Sequence, residues 1–331
     1  MIVNENRYIY AKTQSKPIVC VNSNVMNRES YKLLDDKLPI FFKSWWLNSV
    51  CEDGEWVAES FGKNDRIQSV FVYFIKRKFG LRYIVMPPLT QYLGEYSFTN
   101  NSLNDCKSAS RYYIDHLPKT AFAVINMSHS FRYWTPYLWC GFNQTTRYSL
   151  KINNLTDIDS VFANFDDSKK RNIRKAAKLL KIKAEMPGEE FYDFFAADLR
   201  SKNQRVNFSR TMFVKLYSEC VEHQAGTILY ATDTDNVTYG ALFVVWDDSA
   251  MYALTYSFPD KYRSSGVGDF LMFNAIKLAA TKTMTFDFEG SMLVGVEQSY
   301  QRFGTVPAEY YQISKISNPI LRIFNLFKPL F

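Results

Sequence analysis

The pattern of apolar and polar positions predicts strands and helices in alternation through the first half of the chain. β-Branched and aromatic residues are typical of pleated strands, and they mark five segments. These are EWVAESF, RIQSVFVYFI, LRYIVMPPL, AFAVINM and TRYSLKI. Helices are predicted for the apolar FFKSWWLNSV and for the capped NSLNDCKSASRYYIDHL, which lies before AFAVINM. The aromatic segment FRYWTPYLWCGF separates the last two strands.

The second half repeats this coarse order after a helix-rich stretch that ends near His223. Strands are predicted for TILYAT, YGALFVVW, AMYALTYSF, MTFDFEG and AEYYQISKI, and helices for DFLMFNAIKLAATK and GVEQSYQRFG. Each half therefore has a strand meander, a connection, a helix, a strand, a helix and a strand. We predict an α+β fold whose halves are related by an ancient duplication.

Length and composition refine this picture. A chain of 331 residues exceeds the usual size of one core, so two domains are predicted, at residues 1–152 and 153–331. The five cysteines are scattered and form no C-x-x-C pair, which argues against a disulfide framework and against a metal site. The N-terminus lacks the pattern of a signal peptide, and no apolar run is long enough to span a membrane. A cytoplasmic location is expected. The net charge of +7 favours anionic partners.

A glycine-containing loop between a strand and a helix is the first candidate site. It has the spacing R-x-x-G-x-G, and backbone N–H groups at a helix N-terminus can surround a diphosphate. The residues of the loop are Arg263, Ser264, Ser265, Gly266, Val267 and Gly268. A plain strand-to-helix turn is the alternative, and Asp269 would repel an anion if its carboxylate faced the loop.

Two carboxylates follow on the next strand. Alternation from Met284 to Glu289 places Asp287 and Glu289 on one face, and paired carboxylates can raise the pKa of one member until it suits a general base. Alternatively, Asp287 buttresses the loop and Glu289 is solvated. Tyr300, on a helix that Gly304 would end, could protonate a leaving group or serve as an aromatic packing residue.

A basic helix is predicted from Ser168 to about Lys181. Its apolar stripe comprises Ile173, Ala176, Ala177 and Leu180, and the predicted surface carries Lys169, Lys170, Arg171, Arg174, Lys175, Lys178 and Lys181. No acidic residue interrupts Ser168–Lys183. A solvated face is the general expectation for such a run, but the missing carboxylates favour an anionic partner.

These motifs, in this order, resemble the GNAT superfamily of acyl-CoA N-acyltransferases. Its acyl-CoA loop, Q/R-x-x-G-x-G/A, is matched by Arg263, Gly266 and Gly268, and its helical tyrosine four residues before a glycine by Tyr300. SKKRNIRKAAKLLKIKAE, YALTYSFPDKYRSSGVGDFLMFNAIKLA, FDFEGSMLVGVEQSYQRFG, PPLTQYLG and WTPYLWCGF are similar to the FemAB-like branch, in which two GNAT-like domains form one chain. The first half lacks the acyl-CoA loop.

The resemblance implies N-acyl transfer from acyl-CoA, with acetyl-CoA as the expected donor, to an amine of a cell-surface precursor. The donor carbonyl would lie against backbone N–H groups of Leu254, Thr255 and Tyr256, between two strands that splay apart. Glu289 or Asp287 would accept the amine's proton. The remaining assignments are Tyr300, which would protonate the CoA thiolate, and Arg171, Arg174 and Lys175, which would bind the diphosphate of a nucleotide- or lipid-linked acceptor.

Two other functions remain open at this point. One is an aminoacyl-tRNA-dependent peptidyltransferase, whose tRNA backbone the basic helix would bind. The other is a non-catalytic protein that binds anionic ligands. The C-terminal segment NPILRIFNLFKPLF has Ile320, Ile323, Phe324 and Phe327 at helical spacing. This helix either packs on the core or touches the inner face of the membrane.

Overall fold

The first half alternates strands and helices as its apolar pattern predicts. The computed structural model describes residues 25–63, 66–98, 102–290 and 293–322. The helix predicted from FFKSWWLNSV begins at Ser44 and ends at Val50. In chain order the first-half elements are α1 (Arg28–Lys32), α2 (Ser44–Val50), β1 (Gly54–Lys63), β2 (Arg66–Lys78), β3 (Leu81–Val85), β4 (Gly94–Ser97), α3 (Leu103–His116), β5 (Phe122–Asn126), α4 (Thr135–Trp139) and β6 (Asn143–Ile152).

The second half begins with four helices and one short strand and then repeats the first-half order. The connection after its third long strand is a 3-10 helix, Asp260–Ser265, rather than an open loop. In chain order the elements are α5 (Ile158–Ala163), α6 (Asp167–Ala177), β7 (Lys181–Lys183), α7 (Gly188–Ser201), α8 (Arg210–Glu222), β8 (Gly226–Thr232), β9 (Thr238–Trp246), β10 (Met251–Ser257), α9 (Val267–Ala279), β11 (Phe286–Asp287), α10 (Val294–Gln301) and β12 (Val306–Ile316).

The strands join edge to edge into one mixed sheet flanked by helices. Across the described residues the order is β1-β2-β3-β5-β12-β6-β11-β10-β9-β8-β7, and β4 pairs with β2. The two halves exchange their last strands. β6 of the first half pairs with β11 of the second half, and β12 of the second half pairs with both β5 and β6. The α+β fold class is confirmed, and the two expected sheets form one. The boundary at residue 152 remains a prediction.

The two halves also share an apolar core on one face of the sheet. Phe41, just before α2, packs against Tyr92 of the first half and Tyr252 of β10, with ring centroids 5.2 and 5.0 Å away. The hydroxyls of Tyr92 and Tyr252 are hydrogen-bonded at 2.7 Å. The Ile40 N–H donates to Asp247 at 2.8 Å. Two further cores lie around α3 and β5 and around α9; the first includes Ile313 of β12, and the second includes Leu150 and Ile152 of β6.

The basic helix is shorter than the sequence predicts. Asp166 caps α6 by accepting a hydrogen bond from the Ser168 N–H, and the helix ends at Ala177. It ends early because Lys181–Lys183 forms β7 and pairs with β8, so the chain must turn between these elements. Ile173, Ala176 and Leu180 are buried as the apolar stripe predicts, whereas Ala177 is exposed. Among the described residues, no helix has both the length and the apolarity that a membrane span requires.

Candidate active site

The site forms where two parallel strands diverge. β10 and β11 share only the register pairs Met251 with Phe286 and Tyr252 with Asp287. β10 then continues to Ser257, whereas β11 ends at Asp287, so among the described residues the second part of β10 has no strand partner on this side. A register shift between Ala253 and Thr255 makes Leu254 a bulged residue, and such a residue lies outside the regular hydrogen-bond ladder. The Leu254–Tyr256 segment therefore lines a gap in the sheet.

Glu289 lies on the opposite side of this gap. It follows Asp287, the last residue of β11, by two residues, as Leu254 follows the paired Tyr252 on β10. Its φ of 57° is in the left-handed region, which is uncommon for residues other than glycine. Its Oε1 atom is buried and has no hydrogen-bond partner in the described part of the chain. Burial, and then the nearby Asp287 carboxylate, raise the pKa of Glu289 well above its ordinary value.

Asp287 holds Glu289 in this conformation. The Glu289 N–H donates to Asp287 Oδ1 at 2.8 Å, and Ser149 Oγ donates to Oδ2 at 3.2 Å. Lys151 Nζ lies 3.1 Å from Asp287 Oδ2 and forms an ion pair in which the Asp287 side chain is fully buried. The two carboxylates therefore have different environments: that of Asp287 is bonded on both oxygens, whereas one oxygen of Glu289 has no partner in the part of the chain that the structure describes.

Lys151 and His129 are site residues that sequence reasoning missed. Lys151 Nζ is 3.0 Å from His129 Nε2, and His129 Nδ1 is 3.1 Å from the Glu309 carbonyl oxygen of β12. Burial, and then the Lys151 charge, lower the pKa of His129. Period-two alternation already places Ser149 and Lys151 on one face of β6. Only the pairing of β6 with β11 brings that face to Asp287, and the local pattern does not contain that pairing.

Two tyrosines face each other across the gap from β10 to α10. The Tyr300 hydroxyl donates to the Tyr256 hydroxyl at 3.2 Å. Tyr300 is buried, with its ring centroid 5.0 Å from that of Phe288, whereas Tyr256 is partly exposed. Burial raises the pKa of Tyr300 well above its ordinary value, and the neighbouring Tyr256 adds to the shift. The helix ends at Gln301, earlier than the sequence predicts, and Gly304, with φ 69°, lies in the turn that follows it, three residues later.

The alternation expected from Met284 to Glu289 is only partly present. Phe286 and Phe288 are buried on one face, and Asp287 is buried on the other. Met284 is 48% exposed, because β11 begins only at Phe286, and the left-handed Glu289 ends the extended geometry. Both carboxylates nevertheless lie at the C-terminal end of the strand, as predicted.

The glycine loop is covered by the basic helix. Gly266 has φ 82° and is buried, and a Cβ atom at this position would lie 2.6 Å from the backbone oxygen of Asn172 in α6. Lys175 Nζ donates to the Ser264 carbonyl at 2.7 Å, and Ser265 Oγ accepts a hydrogen bond from the Val267 N–H at 3.2 Å. Arg263 and Ser264 are exposed, whereas the buried residues are Ser265, Gly266 and Val267; Gly268 is partly exposed. The exposed rim of the loop, rather than its buried glycine, is accessible to a ligand.

The carboxylate of Asp269 faces α6 and is neutralised there. Lys169 Nζ donates to Asp269 Oδ1 at 2.7 Å, and Asn172 Nδ2 donates to Oδ2 at 2.8 Å. The expectation that Lys169 lies on the exposed face of the helix is wrong, because this ion pair and the Phe303 ring enclose its ammonium group. Asp269 therefore fastens α6 to α9.

The residues predicted to bind an acceptor lie on the outer face of α6. Arg171, Arg174 and Lys175 are exposed. The Arg174 guanidinium lies 5.7 Å from the Phe162 ring centroid, and Lys175 is bonded to the glycine loop. Within the described ranges, His, Cys, Asp and Glu residues form no group of three that could hold a metal ion. Of the C-terminal residues predicted to form a helix, Ile320 is described, whereas Ile323, Phe324 and Phe327 lie outside the described residues.

Comparison with known proteins identifies the class. Residues 165–302 match a family model described as an acetyltransferase (GNAT) domain. The chain has the fold of the GNAT superfamily in its FemAB-like form, and the segment that matches the family model runs from the start of α6 to the end of α10. No curated protein sequence matches the chain.

Solved structures extend the likeness in fold over most of the chain. FemX matches with a TM-score of 0.67 at 12% identity, over 92% of this chain and 99% of FemX. A conserved protein of unknown function from Bacteroides thetaiotaomicron VPI-5482 matches with a TM-score of 0.58 at 10% identity, over 90% of this chain and 100% of that protein. A tandem GNAT protein from the clavulanic acid biosynthesis pathway matches with a TM-score of 0.51 at 8% identity, over 83% and 87% of the two chains.

Proposed function

We propose that the protein is an N-acyltransferase that moves an acyl group from acyl-CoA, acetyl-CoA in the first instance, to a primary amine. The observation that carries this proposal is Glu289, which follows the strand that diverges from β10 and has a buried carboxylate oxygen without a hydrogen-bond partner among the described residues. A carboxylate with a raised pKa in such a position is suited to accept a proton at neutral pH.

Each group of the site has one task in this reaction. The amine nitrogen attacks the carbonyl carbon of the donor thioester, a C–N bond forms and the C–S bond breaks. Glu289 accepts the proton that the nitrogen loses. Backbone N–H groups of the bulged segment Leu254–Tyr256 stabilise the negative charge on the carbonyl oxygen. Tyr256, which accepts a hydrogen bond from Tyr300, donates its own proton to the leaving thiolate. This assignment modifies the sequence prediction, in which Tyr300 is the direct donor.

The donor binds along the free edge of β10 and over the rim of the glycine loop. Arg263 and Ser264 are the exposed loop residues that can contact a diphosphate, and the Lys175 ammonium lies beside them. The Gly266 N–H already donates to the Arg263 carbonyl at 3.3 Å, so it contributes only if the loop rearranges. The proposed acceptor is the amine of a cell-surface precursor, an amino sugar or a peptide that is nucleotide- or lipid-linked. Arg171 and Arg174 are the proposed contacts for its phosphates.

A ligand-induced change in melting temperature tests the donor. Acetyl-CoA and CoA should raise the melting temperature by mass action. At a ligand concentration of about a hundred times Kd, the free energy of unfolding increases by about 2.7 kcal/mol. Arg263→Glu should abolish the increase, and Arg200→Glu, a charge reversal at an exposed position of α7, should retain it. If the wild type does not respond to any acyl-CoA, or Arg200→Glu loses the response equally, this donor site is wrong.

One observation favours a second candidate function, aminoacyl transfer from tRNA. α6 covers the loop that would cradle a CoA diphosphate and presents exposed arginines, Arg171 and Arg174, to solvent. A tRNA donor predicts binding that weakens steeply with salt and loses part of its salt dependence in Arg171→Glu/Arg174→Glu. In both functions Glu289→Gln should lower kcat about 10²–10⁴-fold. Binding of tRNA without a response to CoA would favour the second function over the first.

A further inference from the structure

The turn between β2 and β3 carries an exposed aromatic side chain at its tip. Phe79 is 91% exposed and has φ 51°, and the following Gly80 has φ 74°. Positive φ at both central residues is a feature of type I′ turns, which favour glycine, asparagine and aspartate. A bulky residue is strained in this region, and strain that a fold retains is a reason to look for a function. Phe79 therefore lowers the stability of the isolated protein and gains nothing from burial within it.

Cations surround this tip. Arg77 lies directly opposite Arg82 in the ladder of β2 and β3, and like charges at such positions repel. Lys78 is exposed beside them, with its ammonium 5.4 Å from the Phe79 ring centroid. The sequence contains no aspartate or glutamate from residue 67 to residue 94. The exposed carboxylates on the neighbouring chain are Glu55, opposite Ile75, and Asp53, which precedes Gly54 opposite Lys76. The tip is positively charged and exposed.

Further exposed apolar residues lie at the same end of the sheet. Ile316, the last residue of β12, pairs with Phe122, the first of β5, and Phe122 pairs with Tyr83 of β3. The chain beyond β12 therefore leaves the sheet at the end where the hairpin turns. Ile320 lies in this continuation and is 63% exposed.

Helix α4 reaches this end as well. Lys315 Nζ donates to the Cys140 carbonyl at 2.7 Å, which places the C-terminus of α4 beside the last residues of β12. The adjacent Trp139 is 60% exposed, and Leu138 is 48% exposed. A nearby carboxylate, Asp115, is paired with Arg111 at 2.9 Å. Two more exposed cations belong to the segments at this end, Lys119 before β5 and Arg322 after β12.

We propose that this end of the sheet docks on an anionic phospholipid bilayer. The hairpin end, as we name it, comprises Arg77–Arg82, Lys119, Leu138, Trp139, Ile320 and Arg322. From β3 to β6 it spans three strand spacings, about 15 Å, and its residues come from four separate segments. Aromatic and aliphatic side chains enter the interface of a bilayer while lysine and arginine bind its anionic headgroups. The proposal does not depend on the proposed chemistry.

Sedimentation with vesicles tests it on the full chain. The probes are vesicles of phosphatidylcholine alone and of phosphatidylcholine mixed with phosphatidylglycerol. The protein should sediment with the mixed vesicles and remain in solution with the neutral ones. Phe79→Gly should weaken binding at least about tenfold, since it removes one aromatic side chain that the bilayer would bury. Arg77→Gln/Lys78→Gln should weaken it about fivefold for each cation removed.

Two features separate docking from damage to the fold. Phe79→Gly relieves the positive-φ strain, so its melting temperature should stay unchanged or rise while its vesicle binding falls. Leu33→Gly changes another exposed apolar residue, 83% exposed and outside the hairpin end, and should bind as the wild type does. Failure of the wild type to bind mixed vesicles, or equal binding by Phe79→Gly, overturns the proposal. A dimer that Phe79→Gly dissociates would show that a second copy occupies this surface instead.

Discussion

The contact between the glycine loop and α6 can be measured by adding one methyl group. Gly266→Ala places a Cβ atom 2.6 Å from the Asn172 backbone oxygen and forces alanine into φ 82°. The left-handed conformation costs about 1–2 kcal/mol. Overpacking against a backbone atom costs about 1–3 kcal/mol more. The expected loss of stability is therefore about 2–5 kcal/mol.

Gly141→Ala is the matched control. Gly141 has φ 78°, close to that of Gly266, but a Cβ atom there meets nothing within 4 Å. Its expected loss is the conformational part alone, about 1–2 kcal/mol. Thermal unfolding of both variants measures the difference in stability, about 1–3 kcal/mol. At about 2–4 °C per kcal/mol, the melting temperature of Gly266→Ala should be roughly 2–12 °C below that of Gly141→Ala. Equal melting temperatures would refute the packing of α6 on the loop. A side-chain change at Asn172 should not rescue Gly266→Ala, because the obstructing atom belongs to the backbone.

The remaining predictions concern the carboxylates and tyrosines. Lys151→Met should cost about 3 kcal/mol, because it leaves the buried Asp287 unpaired, and Lys151→Met/Asp287→Asn should recover most of this loss in thermal unfolding. If the double variant is no more stable than Lys151→Met, the ion pair is wrong. Asp287→Asn should shift the rising limb of the pH–rate profile to lower pH, since the Asp287 charge raises the pKa of Glu289 and the base must be ionised. If the rising limb of the profile does not shift, the Asp287 charge does not raise the pKa of Glu289. Glu289→Gln should lower kcat about 10²–10⁴-fold. Tyr256→Phe should lower kcat more than Tyr300→Phe does, and the reverse order would make Tyr300 the direct donor.

The sequence allows the local elements of the site to be predicted well. β10, the loop with its left-handed Gly266, and the helix that begins at Val267 follow from period-two alternation, glycine spacing and helical periodicity. The position of Asp287 and Glu289 at the end of a strand follows in the same way. These features depend on residues close together in the chain, so the pattern contains them.

Contacts between distant segments could not be predicted. The burial of Lys169 depends on Asp269, a hundred positions away, and the closing of the loop depends on how α6 packs against α9. The Lys151–Asp287 ion pair requires β6 to lie beside β11, although the chain order suggests that β6 completes the first half. Strand partners are chosen by the global packing of the sheet, and a single sequence shows no trace of that choice.

The position of β12 has a consequence for the order in which the chain is made and folds. Val306–Ile316 lies between β5 and β6, so these two strands keep open edges until that later segment has left the ribosome. An open edge can pair with another chain, and nascent proteins are exposed to that risk for as long as it persists. The first half is therefore expected to aggregate when produced alone as residues 1–152, and to become soluble when a peptide of the β12 sequence is supplied with it. Solubility of the fragment on its own would show that its edges are protected in another way.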